Sequence, residues 1–171
     1  MDAATRVEGV CAEVFGQRGF RKRARSWYRT TSAGEYQVVN LQRSPWGSGS
    51  CYLNLGWDVD ASSFRSENRC LLRLRAQETG VVEPTRLVRG DGVTEVEVPG
   101  TALLDEEVSS TMPEAAFAAE VRRAVVLPVA DLLERTPSIV DLVPFLTAKP
   151  WFALRDARAE LARRGHELPA G

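Results

Sequence analysis

Two stretches of the chain alternate polar groups that can hold a ligand with apolar ones that cannot. Val39, Leu41, Cys51, Leu53, Leu55 and Trp57 occupy odd positions, and Tyr36, Val38, Asn40, Gln42, Tyr52 and Asn54 occupy even ones. Side chains on a strand point to opposite faces with a period of two, and a slip of one residue would expose the whole apolar set. The odd set is therefore expected to face a core, and the even set to share the other face. Directly opposed residues on paired strands lie about 5 Å apart. Asn40, Gln42, Tyr52 and Asn54 then make one compact patch of amides and phenols. Arg73 and Arg75 flank it if their strand joins the sheet, and Arg25 and Trp27 lie at its margin. Amide donors and acceptors, aromatic faces and guanidiniums together suit a planar or anionic ligand, or an acidic protein surface. Two plainer readings compete: the solvated side of a one-sided sheet, or a face covered by C-terminal helices whose backbone the amides satisfy.

Other chemistries find less support. The one histidine, His166, follows a helix stop at Gly165, so no Ser-His or Cys-His nucleophile system is expected. Asp58 and Asp60 could hold Mg²⁺ weakly at a strand end, but a solvated strand terminus is the default. Asp58, Asp60 or Tyr52 are the only acid–base groups an enzyme reading could call on. No metal or cofactor is expected. Gly47-Ser48-Gly49-Ser50 lacks the Gly-Lys-Ser/Thr of a phosphate loop. Trp46, beside Pro45, is expected to fold back onto the sheet; left exposed, it would anchor a partner. Cys11, Cys51 and Cys70 are an odd number at wide spacing, against a disulfide framework or a zinc site. Three buried reduced thiols, and with them a cytoplasmic location, are the expectation.

The chain has 171 residues, 44% of them hydrophobic, with a formal net charge of -1. That composition excludes disorder as the main state. No stretch approaches the ~18 apolar residues of a membrane span, and the start of the chain has no secretory pattern. The neutral total hides a split: residues 1–89 balance at +5 and residues 90–171 at -6. Arg18, Arg21, Lys22, Arg23, Arg25 and Arg29 carry most of the excess, with no acid among them. Such a cluster attracts phosphates or acidic surfaces, unless it is a solvated strand edge balanced by the acidic half. The overall balance is far from the pI above ~9 of a nucleic-acid binder.

An amphipathic helix is expected first, on the stripe Val7, Val10, Cys11, Val14 and Phe15. Strands follow over residues 23–31, 35–42 and 51–57, with a hairpin turn at Thr31 to Gly34 and a weaker strand over 69–75. Gly90-Asp91-Gly92 reads as a turn before a short strand over 93–98. In the last third, Thr111 and Glu114 read as a capping box, and Ala116, Phe117, Val121, Ala124 and Val125 as a stripe. Pro128 should kink or end that helix. A short helix from Thr136-Pro137, interrupted by Pro144, precedes a last one over 150–164 with Trp151, Leu154, Ala157 and Leu161 inward. The expected fold is α+β: an N-terminal helix, an antiparallel sheet of four to five strands, and C-terminal helices packed on it. It forms one domain over residues 1–165, with a frayed tail over 166–171.

The runs Gly19 to Arg29, Val38 to Ser44 and Tyr52 to Gly56 resemble a bacterial family of domains of unknown function, the one numbered 4304. Its pattern is Gly-Phe before basic and aromatic residues, an Asn-x-Gln-x-Ser strand and an Asn-x-Gly strand; Arg73-Leu74-Arg75 matches a later basic element less closely. The resemblance covers about residues 5–75. It implies a bacterial α+β domain of similar length and no activity; a kinship with toxin-immunity factors is analogy alone. The leading reading is a noncatalytic module binding a protein or a small anion through the polar face. Nucleic-acid binding, with Trp27 and Tyr28 stacking on bases, is the alternative, and a carboxylate- or metal-dependent enzyme is third. Nothing in the sequence selects an oligomeric state.

Overall fold

The computed structural model describes residues 2–46, 49–88 and 94–170. Helix α1 (Ala3–Gln17) starts on Asp2, whose carboxylate accepts the Thr5 N–H, and buries Val7, Val10, Cys11, Val14 and Phe15. Five strands follow: β1 (Arg21–Arg23), β2 (Ser26–Thr30), β3 (Tyr36–Arg43), β4 (Cys51–Asp58) and β5 (Leu72–Arg75). They form one sheet in the order β1-β2-β3-β4-β5, with every pair antiparallel. The architecture is α+β, as the element order implies.

The single strand expected over 23–31 is instead a hairpin. Arg23 pairs with Ser26, so Ala24 and Arg25 make a two-residue turn, with Ala24 at a φ of 50°. Alanine in the left-handed region costs about 1 kcal/mol, and no Asn-Gly signal marks the turn. The expected turn at Thr31 to Gly34 is present, with Gly34 at a φ of 77° and its N–H on the Thr31 carbonyl.

Val39, Leu41, Leu53, Leu55, Trp57, Leu72 and Leu74 join α1 and the C-terminal helices in one core. The helices therefore cover the odd face and leave the even face to solvent and loop. Strands β6 (Pro84–Val88) and β7 (Glu95–Pro99) pair with each other as a separate two-stranded sheet. The first is absent from the sequence expectation. The turn expected at Gly90-Asp91-Gly92 lies outside the described residues.

After α2 (Glu106–Ser109), helix α3 (Glu114–Val121) passes through one wide π turn (Arg122–Val126) into α4 (Leu127–Arg135). Pro128 thus does not end the helix, and the π turn sits just before it. A proline has no N–H to give the carbonyl four residues back and crowds it, and a π turn relieves that crowding. The Ala124 carbonyl left over accepts the Glu83 N–H at 2.8 Å, tying the approach to β6 onto the helix.

The expected capping box is not formed. Glu114 pairs with the buried Arg6 at 2.8 Å, and the Thr111 hydroxyl donates to the Val108 carbonyl. Of the expected stripe, Ala116 is exposed. Pro144 does not interrupt a helix but lies in the first turn of α5 (Val143–Ala148), where a proline loses no hydrogen bond.

The last expected helix is a short 3-10 turn (Pro150–Phe152) followed by α6 (Arg155–Arg163). Ala157 and Leu161 are buried as expected, but Trp151 is 64% and Leu154 63% exposed. They precede α6, so its 3.6-residue period does not govern their direction. The Arg158 guanidinium holds this turn by donating to the Ala153 and Pro150 carbonyls, and it also reaches the Pro169 carbonyl. Arg163 and Arg164, hydrogen-bonded to Glu160, hold its carboxyl down from 4.5 to about 2. A carboxyl held down stabilises the fold above its unfolded pKa, and the contribution is lost as pH falls through the folded value. Protection factors of the α6 amides are therefore expected to fall as pH drops from 4.5 to about 2. Unchanged protection factors across that window would refute the linkage.

Candidate functional site

The registers place the polar residues in rows running across the sheet. Arg23, Ser26, Asn40, Asn54 and Arg75 stand opposite one another from β1 to β5. The next row is Arg21, Tyr28, Val38, Gly56 and Arg73, while Gln42 and Tyr52 face each other beyond the first. Each five-residue row thus ends in an arginine at both edges, about 19 Å apart along the strand spacing.

The middle of the first row is prearranged by its own hydrogen bonds. Asn40 Nδ2 donates to Ser26 Oγ at 2.9 Å, and Asn54 Nδ2 donates to Gln42 Oε1 at 2.9 Å. Asn40 and Asn54 keep their carbonyl oxygens as acceptors, and Gln42 keeps its NH₂ as a donor. At the edges, the Arg75 guanidinium lies 4.7 Å from the Tyr52 ring centre and that of Arg23 4.5 Å from the Phe64 ring. Stacking on a ring restricts a long side chain without neutralising it.

The second row is partly roofed by the β4–β5 connection. Phe64 meets Tyr28 edge-on at 5.1 Å, and the Tyr36 hydroxyl donates to the Arg65 carbonyl at 2.8 Å. Burial pushes the Tyr36 phenol up to about 12. Gly56 is required there: a Cβ would sit 2.8 Å from Cys70 Sγ and 2.9 Å from Val38 Cγ1. Asp58 anchors the roof. It pairs with Arg65 at 2.9 Å and accepts the N–H groups of Asp60 and Leu71. Asp58 is buried, so it is neither the solvated terminus nor half of a carboxylate pair open to a cation. Arg65 spans both carboxylates, reaching Asp60 at 2.6 Å.

Most of the expected site residues come together, and one does not. Asn40, Gln42, Tyr52, Asn54, Arg73 and Arg75 share the even face. Trp27 pairs with Val39, which turns it to the core, where it packs 5.8 Å from Phe15 and is 1% exposed. It is no part of the patch, and no base can stack on it. Tyr28 is engaged by Phe64 and Tyr36. Arg25, in the β1–β2 turn, pairs with Glu8 at 3.3 Å and lies at the margin of the patch, lining a shallow depression with Ser26, Asn40 and Gln42. Sequence reasoning missed Arg21 and Arg23 as face residues, because the hairpin that puts them there carries no turn signal. Trp46 does not fold back: it is 88% exposed.

A groove of about 490 Å³ opens where the face meets the β5 edge, lined by Asn54, Arg73, Arg75, Trp151 and Leu154 among others. Burial pushes the Cys51 and Cys70 thiols up to about 12, and that of Cys11 up as well. All three are thus held as neutral thiols rather than nucleophilic thiolates at neutral pH. Cys70 is only half-buried, unlike the other two. Among the described residues, no three His, Cys, Asp or Glu side chains cluster to hold a metal, and no helix is long and apolar enough to cross a membrane.

No curated protein and no solved structure matches the chain. A family model described as a domain of unknown function matches residues 11–98, more than half of the chain. The match begins within α1 and runs through the whole five-stranded sheet and its arginine-ended rows. The chain belongs to the DUF4304 family.

Proposed function

We propose that the even face of the sheet is a noncatalytic binding surface for anionic groups on a protein partner. One contrast carries this reading. Arg18, Arg65, Arg123 and Arg164 each hold two carboxylates. Arg21, Arg23, Arg73 and Arg75 hold none among the described residues, though all four end rows on one face. A chain with as many acids as bases could have paired them. Among the described residues no carboxylate pairs with them, although Glu67 and Glu78 also line the groove, and the amide acceptors between them suit a partner that brings donors as well as anions.

Fluorescence anisotropy with labelled polyglutamate at low salt tests the reading. The wild type is expected to bind, and Arg23→Ala/Arg75→Ala to bind about tenfold more weakly, as two exposed charge contacts imply. Equal binding by both proteins would overturn it. A labelled single-stranded oligonucleotide in the same assay separates the alternatives: tighter binding of the oligonucleotide than of polyglutamate would make nucleic acid the partner.

A further inference from the structure

The edge of the sheet beside the groove is open in its backbone as well as its side chains. The Ser44 N–H bonds the Ser50 carbonyl, and bonded pairs alternate along an antiparallel ladder. Carried through the registers, the alternation bonds Leu55 to Leu74 and Trp57 to Leu72. The backbone N–H and C=O of Arg73 and Arg75 then point away from β4, into the groove. The Arg75 N–H confirms the direction, because it is taken by Glu78 Oε2 at 2.6 Å instead of by β4. Among the described residues, no side chain takes the N–H or the C=O of Arg73.

Three features converge on this edge: outward backbone groups at Arg73, two guanidiniums without a carboxylate, and an exposed apolar wall at Trp151 and Leu154. Two of the four large apolar side chains most exposed among the described residues thus line one groove, and exposed aromatic and aliphatic groups beside arginine are the usual anchors of an interface. We propose that a protein partner adds an extended segment to β5 as a sixth strand, bearing acidic residues at alternate positions. Its residue opposite Arg73 makes both backbone hydrogen bonds. Side chains on the even face meet Arg73 and Arg75 as carboxylates. Those of the other parity fall on the side of Leu72 and Leu74 and meet Trp151 and Leu154 as apolar groups. Strand addition takes its affinity from the backbone and its specificity from alternate side chains. The proposal rests on the anionic-partner reading above and names the partner's form.

The test is an array of random octapeptides probed with the wild type, Arg73→Ala and Arg73→Pro, each checked by circular dichroism. A proline at Arg73 removes no ladder bond to β4, since that N–H points outward, and edge strands tolerate it. Retained peptides are expected to alternate acidic and apolar residues. Their affinity should fall about threefold in Arg73→Ala and about tenfold further in Arg73→Pro, the cost of a lost backbone hydrogen bond. A second arm leaves the protein untouched: N-methylating the retained peptide at alternate residues should abolish binding in one parity and spare it in the other. Equal affinities for Arg73→Ala and Arg73→Pro, with both methylated parities bound, would overturn strand addition while the anionic-partner reading stands. Retained peptides without acidic residues, or none retained, would overturn both. A dimer in sedimentation that Arg73→Pro dissolves would make a second copy of the chain the occupant and overturn the peptide.

Discussion

Asp58→Ala is expected to lower the unfolding free energy by about 3–5 kcal/mol, because two backbone N–H groups lose their acceptor at about 1–3 kcal/mol each and Arg65 is left with Asp60 alone. Asp58 is 3% exposed and serves three groups at once: the Arg65 guanidinium and the N–H groups of Asp60 and Leu71. Truncation strands the Leu71 N–H at the entry to β5 and frees the roof over the second row. Urea unfolding measures the loss as a lower midpoint at unchanged slope. Asp58→Asn keeps an acceptor for the N–H groups and should cost clearly less. A loss below about 1 kcal/mol for Asp58→Ala would show that water replaces the carboxylate. Because Cys70 and Leu71 line the groove from this connection, polyglutamate binding should weaken in the same variant even where it remains folded.

Glu35→Ala should rank next, at about 2–4 kcal/mol. Glu35 follows the Thr31–Gly34 turn, and its buried carboxylate joins the far end of the chain to the sheet. It accepts the Ser138 hydroxyl at 2.9 Å, the Ile139 N–H at 2.8 Å and the Arg164 guanidinium. The buried Ile139 N–H loses its partner in the variant, whereas Arg164 keeps Glu160. Arg164→Ala should therefore cost less than Glu35→Ala. Equal losses would assign the stability to the ion pair rather than to the N–H. Arg164 ends α6, whose preceding turn carries Trp151 and Leu154, so exchange at those two amides should quicken in Glu35→Ala before global unfolding.

The legible parts of this fold were those where one period acts alone. The two-residue alternation through Val39, Leu41, Leu53, Leu55 and Trp57 assigned both faces of β3 and β4, because a half-buried strand has one register that buries its apolar set. The same parity located Asn40, Gln42, Tyr52 and Asn54 together. The α1 stripe was as plain, for the same reason at a helical period. The residues alone put Trp27 at the margin of the patch because nothing local marks the turn before its strand. Ala24 reaches a positive φ with no Gly or Asn to announce it, so the break between β1 and β2, and with it the faces of Arg21, Arg23 and Trp27, stayed hidden. Local preference alone makes Pro128 a kink or an end of the helix; a π turn and the Glu83 N–H absorb what the proline costs.

Side-chain periodicity is a local property, so the residues alone specify an α+β chain with one apolar and one polar face on its central strands. Which arginines stay without a carboxylate partner among the described residues depends on the packing of the whole chain. Arg65 and Arg164 find carboxylates through the folding of loops and of the chain's far end, and Arg25 finds Glu8 across a turn. Arg21, Arg23, Arg73 and Arg75 end up on the uncovered side. Pairing of charges depends on distances between segments remote in sequence, and those distances exist only once the sheet, its roof and the C-terminal helices have packed.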